Sequence, residues 1–208
     1  MVDKRFQITK DDRGFIVGQT GSGKTTLVKA LLWKRRNMIV LDPKRTFTVN
    51  PEWEHETVVS LPELKRTFDH TKMVIYRPTY EELDRLCDDF FRYVFELENV
   101  LLYVDEVASV TTPRTISPYY GRCLKLGREL DISVWSATQR PRKIPLEVMT
   151  ESQHFYIFNL TNIDDRKVVA DYTTPEVLKT PAKGHGFHYY NGKISKSKYY
   201  KDFDKGKV

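Results

Sequence analysis

No apolar run in this sequence approaches the length of a membrane span. The longest, such as Val100-Leu101-Leu102-Tyr103-Val104, are strand-sized, against about 20 residues for a spanning helix. The N-terminal MVDKRFQITKDDRGF lacks the apolar core of a secretory signal, so export is not expected. Cysteine is scarce: Cys87 and Cys123 are the two in the chain. They have neither metal spacing nor a partner motif, and unpaired thiols in a reducing compartment are the expectation. Internal repeats and low-complexity linkers are missing too. What is present is the make-up of one globular domain, with 208 residues, 40% of them hydrophobic and 30% charged, which excludes a disordered chain. A net charge of +6 suggests a polyanionic partner.

Apolar strands alternate with helical patterns along the chain. Strands are expected at 15–17, 38–41, 73–76, 100–104, 132–137 and 155–160. Leu27, Val28, Ala30, Leu31 and Leu32 recur at helical spacing. Thr79 and Glu82 have the spacing of a capping box, ahead of a helix with Leu83, Leu86, Phe90, Phe91, Val94 and Phe95 on one face. Ser117-Pro118 opens another helix, to about Leu130. Phe187 to Tyr190, then Asn191-Gly192 and Lys193-Ile194, read as a hairpin with a type I′ turn. Strands apolar throughout predict an α/β domain built on a mainly parallel sheet, with helices on both faces. The expected division is a single domain over 1–192 and a basic tail over 193–208.

Residues Gly18-Gln19-Thr20-Gly21-Ser22-Gly23-Lys24-Thr25-Thr26 follow a strand and open a helix, the context in which G-x-x-x-x-G-K-[ST] cradles phosphates. Glycines let backbone N–H groups turn inward, and the helix N-terminus adds partial positive charge. Lys24 is suited to the β- and γ-phosphates, and the Thr25 hydroxyl to Mg²⁺.

Asp105 and Glu106 end the strand 100–104. A carboxylate there suits Asp105 to the Mg²⁺ shell and Glu106 to deprotonating a water in line with the γ-phosphate. A base beside the γ-phosphate favours hydrolysis over transfer to an acceptor, as in a nucleotide kinase. The sequence contains no Asn-Lys-x-Asp guanine-reading run, so ATP is the expected nucleotide. The stretch VWSATQRP (134–141) leaves a strand into Thr138-Gln139-Arg140. If that strand lies beside the Asp105 strand, the Gln139 amide emerges near the γ-phosphate as a sensor.

Together, GQTGSGKT, LDPK, LLYVDE and GRELDISVWSATQRP, continued by TNIDDRKVVAD and GHGFHYY, resemble the FtsK/HerA superfamily of DNA-pumping ATPases. Asn162-Ile163-Asp164-Asp165-Arg166 stands where FtsK-type motors usually have Lys-Ile-Asp-x-Arg. The resemblance implies a RecA-like fold, a homo-oligomeric ring of six or five subunits around duplex DNA, and a trans-acting arginine finger at Arg128, with Arg122 and Arg166 as alternatives. The absence of further domains resembles the minimal genome-packaging ATPases of tailless, membrane-containing dsDNA viruses. It implies work in the host cytoplasm or at the virion's packaging vertex.

Such a motor should bind DNA phosphates rather than base edges. Candidate contacts are Lys34-Arg35-Arg36, then Arg140, Arg142 and Lys143, then Lys193, Lys196, Lys198 and Lys201. Tyr189, Tyr190, Tyr199 and Tyr200 interleave with the last group and are candidates for base stacking; that segment could equally dock on a capsid vertex protein. Phage assembly, secretion and conjugative DNA transfer are the alternative settings for such an ATPase.

Overall fold

The computed structural model describes residues 9, 12–32, 35, 37–49 and 52–201, apart from the side chains of residues 85 and 86. The strands are β1 (Gly14–Val17), β2 (Met38–Leu41), β3 (Glu56–Val58), β4 (Met73–Tyr76), β5 (Leu101–Asp105), β6 (Ser133–Thr138), β7 (His154–Ile157), β8 (Phe187–Asn191) and β9 (Lys196–Tyr200). The helices are α1 (Lys24–Leu32), α2 (Leu61–Phe68), α3 (Tyr80–Leu97), α4 (Pro118–Leu126), α5 (Glu147–Thr150), α6 (Ile163–Tyr172) and α7 (Glu176–Lys179).

The described strands form one sheet in the order β3-β4-β2-β5-β6-β1-β7-β8-β9. Pairing is parallel from β3 through β7 and antiparallel for β8 and β9. The α/β class, the mainly parallel sheet and the terminal hairpin are therefore as expected.

Alternation along the strands divides the core into two layers. Phe15, Val17, Ile39, Leu41, Leu102 and Val104 pack with the apolar stripes of α2, α3 and α4. Ile16, Val40, Tyr103, Trp135 and Tyr156 face the other way, onto Leu27, Val28 and Leu32 of α1. Cys87 and Cys123 are unpaired. Among the described residues no helix is long and apolar enough to cross a membrane.

Four local expectations change. The Thr79 side chain does accept from Glu82 N at 3.2 Å, but the Glu82 carboxylate reaches Leu61 N at 3.3 Å instead of closing a capping box. Strand β3 and helix α2 were not expected; α2 carries the reciprocal box, Ser60 with Glu63. The hairpin turn is not type I′ at Asn191-Gly192, because Asn191 pairs with Lys196. Residues 192–195 make a longer loop, with the left-handed conformation on Ser195 (φ 48°). The basic segment expected as a tail thus supplies β9, the edge strand.

Candidate functional site

The site lies at the C-terminal ends of β1, β5 and β6, where parallel strands of an α/β sheet open onto loops. Strand β6 sits between β1 and β5, pairing Val17 with Thr138 and Asp105 with Ala137. The end of VWSATQRP therefore separates the glycine-rich loop from the acid pair.

Residues 18–23 arch from β1 to α1, and all three glycines of the loop are needed for this path. A Cβ on Gly18 would stand 2.5 Å from Phe158 Cβ and 2.7 Å from Ser22 Oγ, closer than atoms can approach, while Gly23 has φ +106°. Gly18 N donates to Thr138 O at 3.2 Å, and the Gln19 amide to the Thr161 hydroxyl. Gly21 projects into open space, but its backbone is left-handed (φ +76°). The Lys24 ammonium folds back to donate to Gly18 O at 2.7 Å and Gln19 O at 2.9 Å. Burial lowers the pKa of Lys24; Glu106 and Asp105 oppose that and Lys44 adds to it. Thr25 and Thr26 follow, half-buried, in the first turn of α1.

Ser22 Oγ is buried with no hydrogen-bond partner. An orphaned hydroxyl inside an arch with a cationic side chain fits an anionic guest. Among the described residues no three His, Cys, Asp or Glu side chains converge into a metal cage. The Thr25 hydroxyl and the Asp105 carboxylate are hard oxygen donors, the chemistry that an ion such as Mg²⁺ takes.

Asp105 and Glu106 are both buried. Burial raises the Asp105 pKa; the Tyr103 hydroxyl, donating to Oδ1 at 2.8 Å, counters this, while Asp42 adds to it. Glu106 takes a left-handed backbone (φ 83°, ψ 78°), uncommon for a residue with a side chain. This conformation accompanies a carboxylate with both oxygens engaged. Oε1 accepts from Thr138 Oγ1 at 2.7 Å and from Gln139 N at 3.4 Å, and Oε2 from Lys44 Nζ at 2.9 Å. The Gln139 amide oxygen accepts from Thr20 Oγ1 at 3.0 Å. Loop, amide and acid form one hydrogen-bonded group.

Arg128 stands apart. It is exposed, in a 3₁₀ turn (Gly127–Leu130) that precedes β6. The six residues of β6 span about 20 Å, so Arg128 is beyond reach of its own chain's loop. Arg122 is exposed, its guanidinium 4.6 Å from the Tyr119 ring centre. Arg166 buries its Nε without a partner.

The expected DNA contacts divide. Lys34 and Arg36 lie outside the described residues. Arg140 binds the buried Asp165 at 3.0 Å and Arg142 binds Asp164 at 3.1 Å, so both are tied to the first turn of α6. Lys193 binds Asp12 at 2.7 Å. Lys143, Lys196, Lys198 and Lys201 are exposed. The four tyrosines do not offer free rings. Tyr200 stacks on Phe187, Tyr199 packs on His188, Tyr190 on Phe155 and Tyr189 on Tyr156. The apolar faces of an edge hairpin are satisfied by the neighbouring strands.

Several site residues escaped the sequence reading. Tyr103 had a signal, since alternation puts it on the face of Asp105, two residues on. Lys44 and Thr138 lie inside the quoted motifs, but nothing local shows that both reach Glu106. His185, whose Nδ1 is 3.3 Å from Ser22 O, comes from the far end of the chain.

No family profile matches the chain. Among curated proteins it is similar to Protein P9 of Pseudoalteromonas phage PM2, at 22% identity over 168 residues, covering 75% of this chain and 72% of that protein. Among solved structures it is similar to the genome packaging NTPase B204 of Sulfolobus turreted icosahedral virus 2 bound to ATP-gammaS. The TM-score is 0.74 and the identity 17%, over 94% of this chain and 99% of that one. The pCW3 conjugation coupling protein TcpA, also with ATPgS, gives a TM-score of 0.64 at 15% identity, over 94% of this chain and 62% of that one. The chain has the α/β fold of these two solved structures.

Proposed function

We propose that this chain is the subunit of an ATP-hydrolysing motor of the FtsK/HerA type, which drives duplex DNA into a preformed viral capsid. The observation that carries this is the group formed by Thr20, Gln139, Glu106 and Thr138: it joins a phosphate loop to a carboxylate suited to activate water. The likeness to a genome packaging NTPase supports the biological setting.

In this reading, Lys24 leaves the Gly18 and Gln19 carbonyls for the β- and γ-phosphates of ATP. The backbone N–H groups of residues 18–26 hold the remaining phosphate oxygens, and the Ser22 hydroxyl gains a partner. Thr25 and Asp105 would hold Mg²⁺, which supplies neutralisation of the phosphate charge. Glu106 takes a proton from water as that oxygen bonds to the γ-phosphorus and the bond to the β–γ bridging oxygen breaks. Gln139 orients the water and senses the γ-phosphate. Arg128 acts in the neighbouring subunit's site, which makes the active species a ring, of six or five subunits. Exposed Lys143, Lys196, Lys198 and Lys201 bind DNA phosphates. The setting is the host cytoplasm and the packaging vertex of the virion.

A second reading, conjugative DNA transfer, is favoured by the likeness to a conjugation coupling protein. Both readings require DNA-stimulated hydrolysis, whereas a nucleotide kinase does not. The test is phosphate release from ATP with and without duplex DNA, for the wild type and Glu106→Gln. DNA-stimulated release that Glu106→Gln abolishes is expected; release indifferent to DNA would overturn the motor reading.

A further inference from the structure

Lys44 sits within a turn built to stay put. Asp42, fully buried, accepts from Thr46 N at 3.0 Å, Phe47 N at 3.1 Å and Arg77 Nε at 2.9 Å. Arg77 also donates to Phe47 O at 2.6 Å, and Arg45 N closes the turn onto Asp42 O at 3.2 Å. The backbone at residue 44 is thereby fixed beside β5. The Lys44 side chain is not fixed in the same way. It is 41% exposed, and its ammonium meets a Glu106 side chain that is only 8% exposed.

A general base must offer a lone pair to the water it deprotonates. Here Thr138 and Gln139 N occupy Oε1, and an ammonium sits on Oε2. We infer that Lys44 is a latch on Glu106, a positioning residue that withholds the carboxylate from water until an approaching phosphate strand draws the ammonium away. The inference rests on the reading of Glu106 as the base of a DNA-driven ATPase, and it assigns Lys44 the link between DNA and hydrolysis. The partner's chemistry follows from the latch itself. A flexible ammonium on a rigid turn exchanges one oxyanion for another, and the exposed Arg45 beside it favours a polyanion.

The experiment measures ATP turnover by the full chain, with and without duplex DNA, for the wild type, Lys44→Gln, Lys44→Arg and Glu106→Gln. Lys44→Gln should raise the DNA-free rate about threefold to tenfold, the effect of losing a half-exposed ion pair, and shrink the stimulation by DNA to match. Lys44→Arg keeps a cation on Oε2 and should retain a low DNA-free rate. If Lys44→Gln instead slows turnover in both conditions and weakens ATP binding relative to ADP, Lys44 serves the nucleotide and the latch is wrong. An unchanged DNA-free rate also overturns it. Failure of the underlying reading looks different: Glu106→Gln would then hydrolyse ATP like the wild type.

Discussion

The Thr138 hydroxyl donates to Oε1 of Glu106 at 2.7 Å, so the last residue of one strand holds the acid that follows its neighbour. The same hydroxyl accepts from Arg140 N at 3.2 Å, and Thr138 O accepts from Gly18 N at 3.2 Å. One threonine thus touches the acid, the Gln139-Arg140 segment and the glycine-rich loop.

Thr138→Val keeps the shape of this buried position and removes the donor to Glu106. A hydrogen bond to a charged group is worth enough to predict a drop in kcat of about tenfold or more. KM for ATP should hardly move, because the loop is untouched. Steady-state kinetics check this split; an unchanged kcat would mean that Thr138 does not position the acid.

Tyr103→Phe deletes the hydroxyl that donates to Asp105 Oδ1 at 2.8 Å and leaves the ring in the core. If Asp105 serves Mg²⁺, losing the group that orients it should raise the Mg²⁺ needed for half-maximal hydrolysis about tenfold. Titration of activity with Mg²⁺ at saturating ATP checks this.

Gly18→Ala places a methyl group 2.5 Å from Phe158 Cβ. Relieving the clash must move the loop or the segment that follows β7, at a cost of about 1–3 kcal/mol. Nucleotide binding should be lost beyond what the fall in stability explains. Calorimetric titration with a non-hydrolysable ATP analogue, at a temperature where the variant is folded, measures it.

At the opposite end of the sheet, Asp12 is buried between Lys193 (2.7 Å) and His154 (3.3 Å) and accepts from Thr9 N at 2.6 Å. Burial pushes the Asp12 pKa up, but His154, Lys193 and the Thr9 N–H together outweigh it and hold the carboxyl well below the usual range. A folded-state pKa below the unfolded one stabilises the fold above the unfolded value, near pH 4, and this stability is lost as pH falls further. Asp12→Asn should therefore cost about 3 kcal/mol at neutral pH. The gap from wild type should close as the pH falls below about 4. Denaturant unfolding across that range checks the sign.

Much of this was legible in the sequence, for identifiable reasons. The phosphate loop depends on consecutive residues with a strand before and a helix after, so local pattern suffices. The acid pair and Gln139 follow from apolar strands that end in polar residues. What local pattern does not contain is a partner far along the chain. Lys44 and Glu106 are 62 residues apart, and only the adjacency of β2 and β5 brings them together. Glu82 has the spacing of a cap and spends its carboxylate on Leu61 N, 21 residues away. Asn191-Gly192 has the composition of a tight turn, yet the loop runs to Ser195, which keeps Tyr189 and Tyr200 on their packed faces. Arg140 and Arg142 look like free cations until α6 supplies Asp165 and Asp164.

The ring is tested by mixing variants. Glu106→Gln should bind ATP without hydrolysing it, and Arg128→Ala should lack the guanidinium that the proposed ring lends to a neighbour. A trans arginine is worth about 10³–10⁵ in rate, so each variant alone should be nearly inactive. Their mixture should recover a measurable fraction of wild-type turnover, and turnover per subunit in the wild type should rise with protein concentration. No recovery on mixing, together with a concentration-independent rate, would make the site self-contained.

Movement along DNA is the central claim, and displacement of a triplex-forming third strand from duplex DNA measures it most directly. Wild-type protein with ATP should release the third strand, at a rate that follows hydrolysis. Glu106→Gln, or the wild type with a non-hydrolysable analogue, should leave it bound. Full ATP turnover on that same DNA with the third strand still in place would contradict the account.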